Sequence, residues 1–381
     1  MKKALLPLFF VSALAIVSCN ESPTKATFTL NELGNNVEFH TSLQVDYFIN
    51  KTIDEMDDFN YMIVGALRKS DCSAPEGVEI KWSVKTDKGS LSSYEVHISE
   101  NEEFENEIVI KTSKKSAIFK NPKVNTTYYC KVISGKFESE VISFKTTNKG
   151  PRNIYVDGVR NVRDLGGFGY IKQGLLYRGG AFESINEKTK ELEINITEKG
   201  KKAIKEELGI KTEVDVRKNI AESGIVENCS LTKSTVEGVN YVALPMYYGG
   251  KNVLTYQDDN YDDPARVKDF INLLANEENY PLYFHCTHGK DRTGGLAYVI
   301  EALLGMDEDS MYRDYFFSNY ASANDYNMKK SGIDGNYGKT LHEYKKDNTE
   351  LTLQERTYDY LNEVLEIPST TLDNVINILK A

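Results

Sequence analysis

The sequence predicts a multidomain chain, an N-terminal all-β sandwich followed by an α/β domain with a central sheet flanked by helices. Three observations predict it. From Ala26 to Thr147 apolar residues alternate with period two, and Gly, Asn, Asp and Pro fall between the alternating segments. After Thr147-Asn148-Lys149-Gly150-Pro151, helical and strand periods alternate, as layered α/β packing requires. Late in the chain an apolar run passes through a polar, glycine-containing loop into a second apolar, small-residue-rich run. The expected parts are a signal segment over 1–18, a tether over 19–26, the β-sandwich over 27–147 and the α/β domain over 148–381.

The N-terminus carries a basic start, Lys2 and Lys3, and an apolar stretch from Leu5 to Val17 that is too short to span a bilayer comfortably. Ile16-Val17-Ser18-Cys19 resembles a bacterial lipobox. That resemblance implies cleavage before Cys19, lipidation of its thiol and anchoring in the bacterial cell envelope. An ordinary secretory signal with a chance Cys is the alternative. Asn20 rather than Asp follows, which favours the outer membrane.

Within the β region, Glu79–Val84, Tyr94–Ile98 and Val141–Phe144 read as strands. Asn125-Thr126-Thr127-Tyr128-Tyr129-Cys130-Lys131-Val132 resembles the Thr-x-Tyr strand of fibronectin type III domains, and Trp82 would then fill the space between the sheets. Residues 28–58 fit no such scheme and are expected to add a strand pair. No chemistry is assigned to this region, which reads as a spacer holding the rest of the chain off a membrane.

In the α/β domain, Glu198 to Leu208 is helical and Gly209 ends it; Lys211–Val216 and Val239–Leu244 are strands. Asp263-Pro264 caps and opens a helix over 265–276. Pro281–Phe284 reads as a buried strand and Gly294–Leu304 as a helix stopped by Gly305. Helices over 307–319, 352–365 and 369–380 close the chain.

Between that strand and helix lies His285-Cys286-Thr287-His288-Gly289-Lys290-Asp291-Arg292-Thr293-Gly294. Backbone N–H groups and the positive end of the helix dipole can converge there on one anion. The same surroundings lower a thiol pKa, which makes Cys286 a candidate nucleophile. Arg292 has the planar fork that grips two phosphoryl oxygens. Thr287, His288, Gly289, Lys290 and Thr293 complete the candidate phosphate-binding set. Thr293 could donate its hydroxyl to the sulfur, and His285 would hold the loop by hydrogen bonds.

This decapeptide resembles the signature of the cysteine-dependent protein tyrosine phosphatase superfamily, and its Gly-Lys-Asp is similar to an atypical bacterial branch acting on phosphotyrosine, phosphoserine/threonine and phosphoinositides. Two further blocks carry the likeness. Asn161-Val162-Arg163-Asp164-Leu165-Gly166-Gly167, followed by Leu176-Tyr177-Arg178-Gly179-Gly180, is similar to that branch's opening, with Val162 for an aromatic and Gly179 for a Ser. Gly209-Ile210 through Asp215-Val216-Arg217 is similar to one of its strands.

The resemblance implies a two-step phosphomonoesterase without a cofactor, acting on phosphorylated protein or phosphoinositide. Asp291 is the family-like general acid; Asp258, Asp259, Asp262 and Asp263 could instead form an acidic lid. Lys290 either touches phosphate or is solvated. Arg163 and Asp164, like Asp215 and Arg217, are expected to pair behind the loop. A degenerate, non-catalytic surface lipoprotein is the reading of another class, and the intact Cys286, Arg292 and Thr293 speak against it.

Composition bounds the rest. The formal net charge is −11, and loss of Lys2 and Lys3 makes the processed chain more acidic still, so it has no electrostatic footprint for nucleic acid. The 5 His residues show no metal-ligand spacing. Of the 5 Cys, Cys72 and Cys130 could pair outside the cytoplasm or remain buried thiols; Cys229 has no assigned role.

Overall fold

The computed structural model describes residues 22–59, 71–186, 188–189, 191–217, 231–246, 252–255, 263–321 and 328–381. The signal segment and Cys19, Cys229, and the carboxylates Asp258, Asp259 and Asp262 lie outside the described residues. Among the described residues no helix is long and apolar enough to cross a membrane.

Two sheets form the N-terminal region. One runs β1 (Ala26–Leu30), β3 (Val78–Thr86) and β6 (Ser116–Phe119). The other runs β2 (Asn35–Val37), β9 (Ile142–Thr146), β7 (Thr127–Ser134), β4 (Tyr94–Ser99) and β5 (Ile108–Thr112), with β8 (Phe137–Glu138) paired to β7. The period-two alternation has its physical cause here: Val78, Ile80 and Trp82 point inward from β3 and meet Val96, Ile98, Val132 and Phe144 in one apolar cluster. Trp82 packs edge-on against Tyr94 at 5.3 Å. Cys130 is buried in the same cluster, and burial pushes its thiol up to about 12. Cys72 and Cys130 are not joined in a disulfide.

Residues 42–58 depart from the expected strand pair. They form helical turns, Ser42–Gln44 continuing into Val45–Ile49, then Ile53–Asp58. Each start is closed by a capping box, Thr41 with Gln44 and Thr52 with Glu55, which satisfies the first N–H groups of the turn. The turns bury Phe48, Ile49, Ile53 and Met56 against Phe316, Phe317, Tyr320 and Met328 of the C-terminal part. Arg313 donates across the same junction to the carbonyls of Phe48 (3.2 Å) and Lys51 (2.6 Å).

The C-terminal part is built on a six-stranded sheet in the order β10 (Arg152–Asn153), β11 (Arg163–Asp164), β12 (Leu176–Gly179), β17 (Leu282–His285), β15 (Thr212–Asp215) and β16 (Asn240–Ala243). β12, β17, β15 and β16 are parallel; β10 and β11 form an antiparallel edge. A hairpin of β13 (Glu183–Ile185) and β14 (Leu192–Ile194) stands beside it. Helices Asp263–Leu274, Asp291–Leu303 and Ser369–Leu379 pack Phe270, Leu274, Val299, Leu303, Leu372 and Leu379 into the main core with Phe284 and Leu282. The α/β architecture is therefore as the alternating periods required. The helix after the loop begins at Asp291, three residues before its expected start, because its polar first turn reads in sequence as loop.

Candidate active site

Parallel strands end on the same side of a sheet, and the crevice outside their carboxyl ends is where such folds bind ligands. β17 is central, flanked by β12 and β15, with His285 in register with Gly179 and Asp215. The loop after His285 therefore leaves the middle of the sheet and re-enters as the helix Asp291–Leu303, bringing Cys286 and Arg292 together.

The loop closes through glycine. Gly289 has φ +68°, and a Cβ there would lie 2.1 Å from the carbonyl oxygen of Gly179. Gly179 is equally constrained: a Cβ would lie 2.3 Å from the hydroxyl of Tyr283. Tyr283 is fully buried, stacks on Phe182 at 5.0 Å and donates to the carbonyl of Gly180 (2.5 Å). The ring of Tyr283 thus accounts for Gly at the position where the resembling branch has Ser.

Side chains from the scaffold set the direction of the loop's peptides. Asn161 Nδ2 donates to the carbonyls of His288 (3.0 Å) and Gly289 (3.1 Å). Arg178 Nη2 donates to the Gly289 carbonyl at 3.0 Å and reaches Lys290 O at 3.5 Å. A trans peptide holds its N–H opposite its C=O. Carbonyls drawn back to Asn161 and Arg178 therefore turn the N–H groups of Gly289, Lys290 and Asp291 away from the scaffold, to the open side of the loop.

Cys286 is 3% exposed. Burial opposes its ionisation, but the Arg292 guanidinium and hydrogen bonds from the Thr293 hydroxyl and N–H outweigh it, holding the thiol below its ordinary value. The Thr287 and Thr293 hydroxyls are both buried without a hydrogen-bond partner among the described residues, and that of Thr293 lies near enough to the sulfur to favour its thiolate. Arg292 is buried in the first turn of the helix, and Lys290 is buried beside it. Asp291 stands at the helix start, half-buried.

His288 is exposed at the rim. Partial desolvation and the cations Arg160, Lys290 and Arg292 hold its pKa below the ordinary value. Asp263, one of the lid candidates, is buried in the first turn of its own helix and is no part of a swinging lid.

Two buried ionic clusters stand behind the loop. In the first, Arg163 Nε donates to Asp314 at 2.6 Å, Arg178 pairs with the same carboxylate, and Arg163 Nη1 donates to Asn161 Oδ1 at 2.7 Å. Glu301 shares this cluster. Burial first, and then the charge of Asp314, raise its pKa well above the ordinary value, which favours the protonated acid beside Asp314.

In the second cluster, Arg217 pairs with Asp215 (2.7 Å) and with Glu183, while His285 Nε2 lies 2.8 Å from Glu213 and its Nδ1 3.3 Å from the carbonyl of Cys286. Burial opposes a charge on His285, but Asp215 and Glu213 outweigh it and raise its pKa. Arg163, Asp215 and Arg217 thus pair behind the loop as expected. Asp164 serves the sheet edge instead, accepting from Arg152 (2.5 Å) and the N–H groups of Gly166 and Gly174.

Asn161, Arg178, Asp314 and Glu301 have no role legible in the sequence. Asn161 and Arg178 lie inside the two blocks of family resemblance. The signal at Arg178 was a charged side chain in a run that is otherwise apolar, aromatic or Gly.

Residues 154–381 match the model of the tyrosine phosphatase family. A "Putative tyrosine-protein phosphatase" of Cupriavidus necator is 25% identical over 193 residues, 46% of this chain and 66% of that protein. A "Putative tyrosine-protein phosphatase" of Debaryomyces hansenii is 27% identical over 110 residues, 29% of this chain and 53% of that protein. The chain therefore spans just under two thirds of the first and about half of the second. Among solved structures, the core catalytic domain of the PP-IP phosphatase Siw14 from S. cerevisiae aligns over 41% of this chain and 79% of its own, at 15% identity and a TM-score of 0.27. With the family model covering more than half of its length, this chain belongs to the tyrosine phosphatase family.

Proposed function

We propose that the chain hydrolyses phosphomonoesters, phosphotyrosine in protein first among them, through a cysteinyl-phosphate intermediate. One observation carries the reading: a thiol with lowered pKa sits in a loop whose peptide N–H groups are turned to one side by Asn161 and Arg178, with Arg292 beside it.

In the first step the Cys286 thiolate attacks phosphorus. The P–S bond forms as the P–O bond to the leaving group breaks, and the leaving oxygen takes a proton from Asp291. Arg292 and the N–H groups of Gly289, Lys290 and Asp291 hold the equatorial oxygens, more tightly in the transition state than before it. In the second step water attacks phosphorus and gives a proton to the Asp291 carboxylate, the S–P bond breaks, and Thr293 stabilises the departing thiolate. Inorganic phosphate leaves.

The same reading includes an envelope location through lipid on Cys19, a fibronectin type III-like N-terminal region, and the atypical bacterial branch suggested by Gly289-Lys290-Asp291. The alternative substrate is a phosphoinositide or inositol phosphate, favoured by Lys290 and Arg160 near the loop. A panel of phosphotyrosine peptide, phosphoserine peptide and phosphoinositides tests the choice. Highest kcat/KM on phosphotyrosine peptide is the expected result, and preference for phosphoinositide would select the alternative. Absence of turnover on all three would return the chain to the non-catalytic class.

A further inference from the structure

The segment 71–74 belongs in sequence to the N-terminal region, yet it is clamped onto the C-terminal part. The Cys72 N–H donates to the carbonyl of Tyr320 (2.8 Å). Gln44 Nε2 donates to the carbonyls of Cys72 (2.8 Å) and Ala74 (3.1 Å), and Asn153 Nδ2 to that of Ser73 (2.7 Å). Ser73 is 2% exposed. Its hydroxyl donates to Asp71 (2.6 Å) and accepts the backbone N–H of Asn161 (2.9 Å).

Asn161 is where this clamp meets the chemistry. It is fully buried with φ +61°, a left-handed conformation that Asn adopts more readily than other non-glycine residues. From that conformation its side chain reaches the His288 and Gly289 carbonyls and so turns two loop N–H groups outward. Ser73 supplies the acceptor for the N–H of a residue whose other end holds the loop.

We propose that Ser73, held by Asp71, is a positioning residue of the catalytic loop, acting through Asn161. The N-terminal region is thus part of the active centre rather than a spacer. The relay runs from the Asp71 carboxylate to the Ser73 hydroxyl, to the Asn161 N–H, and from the Asn161 amide to the loop carbonyls. It rests on the proposed phosphatase reading for its kinetic consequence but not for its geometric one.

The test is Ser73→Ala in the full chain, with Ser73→Thr as the rescue. Two quantities are read: the pH dependence of Cys286 alkylation by iodoacetamide, followed by peptide mass spectrometry, and steady-state turnover of p-nitrophenyl phosphate. In Ser73→Ala the alkylation midpoint moves to higher pH, so that below it the thiolate fraction falls roughly three- to tenfold. The kcat falls by about tenfold, with a smaller change in KM, because the displaced groups serve the transition state.

Ser73→Thr keeps the hydroxyl and stays near wild type on both. Should Ser73→Ala not fold, Asp71→Ala shifts the same two readouts in the same direction by less. A folded Ser73→Ala with lowered thermal stability but an unchanged alkylation profile and kcat overturns the proposal, as does an unchanged Asp71→Ala where Ser73→Ala fails to fold. If the wild-type chain turns over no phosphomonoester, the proposed activity fails, while the alkylation profile still decides the relay.

Discussion

Gly179→Ser replaces the residue that departs from the resembling branch by the one the branch carries. The added Cβ would lie 2.3 Å from the Tyr283 hydroxyl and 3.1 Å from the Cα of Val162. The Val162 contact is backbone and can give little, so Tyr283 must move. Overpacking of this kind costs about 1–3 kcal/mol. Moving the ring also breaks the buried hydrogen bond to Gly180, for about another 1–3 kcal/mol. The expected loss is therefore roughly 2–6 kcal/mol, read as a lowered urea midpoint at unchanged m.

The companion variant Tyr283→Phe removes the colliding oxygen. The pair should then couple, Gly179→Ser costing at least about 1 kcal/mol less in the Tyr283→Phe background. Activity follows stability, because the Gly179 carbonyl is also the surface on which Gly289 closes the loop. An additive cycle, or a Gly179→Ser chain as stable as wild type, would refute the account of why Gly stands there.

Arg292→Lys should lower kcat on p-nitrophenyl phosphate by roughly 10²- to 10³-fold, since an ammonium cannot reproduce the two-pronged hold; near-wild-type kcat removes Arg292 from the transition state. Asp291→Asn should cost roughly 10²- to 10⁴-fold on phosphotyrosine and much less on p-nitrophenyl phosphate, whose leaving group needs little protonation; equal losses would mean that Asp291 only shapes the loop. Glu301→Gln mimics the protonated acid. Because the folded pKa of Glu301 is raised, wild type loses stability relative to the variant as pH rises from the unfolded value of about 4.3 toward the folded one. Urea midpoints of the two at pH 4 and pH 8 check this, and a difference that does not grow with pH contradicts a protonated Glu301.

The candidate loop was legible because its pattern is local: a strand end, ten residues and a helix start, all contiguous. Strands β15, β16 and β17 fell within one residue of expectation, β17 because it is a buried apolar run and β15 because Gly209 ends the helix before it. The two-residue strands β10 and β11 carry no period to read. The helical turns over 42–58 left a signal that went unread, the Thr-x-x-Gln and Thr-x-x-Glu of two capping boxes. The bond from Ser73 to Asn161 spans 88 positions and leaves no local pattern at all. Long-range polar contacts behind the loop, such as those of Asp314 with Arg163 and Arg178, are invisible for the same reason.

The central claim is that the Cys286 sulfur carries the phosphoryl group between the two steps. It is tested by mixing the full chain with p-nitrophenyl phosphate, quenching within the first turnovers under alkaline denaturing conditions that preserve a thiophosphate, and mapping the modified peptide by mass spectrometry. The account predicts one phosphoryl group on the peptide containing Cys286, and neither that adduct nor turnover in Cys286→Ser. Turnover that persists in Cys286→Ser, or a phosphoryl group mapped to another residue, would contradict it.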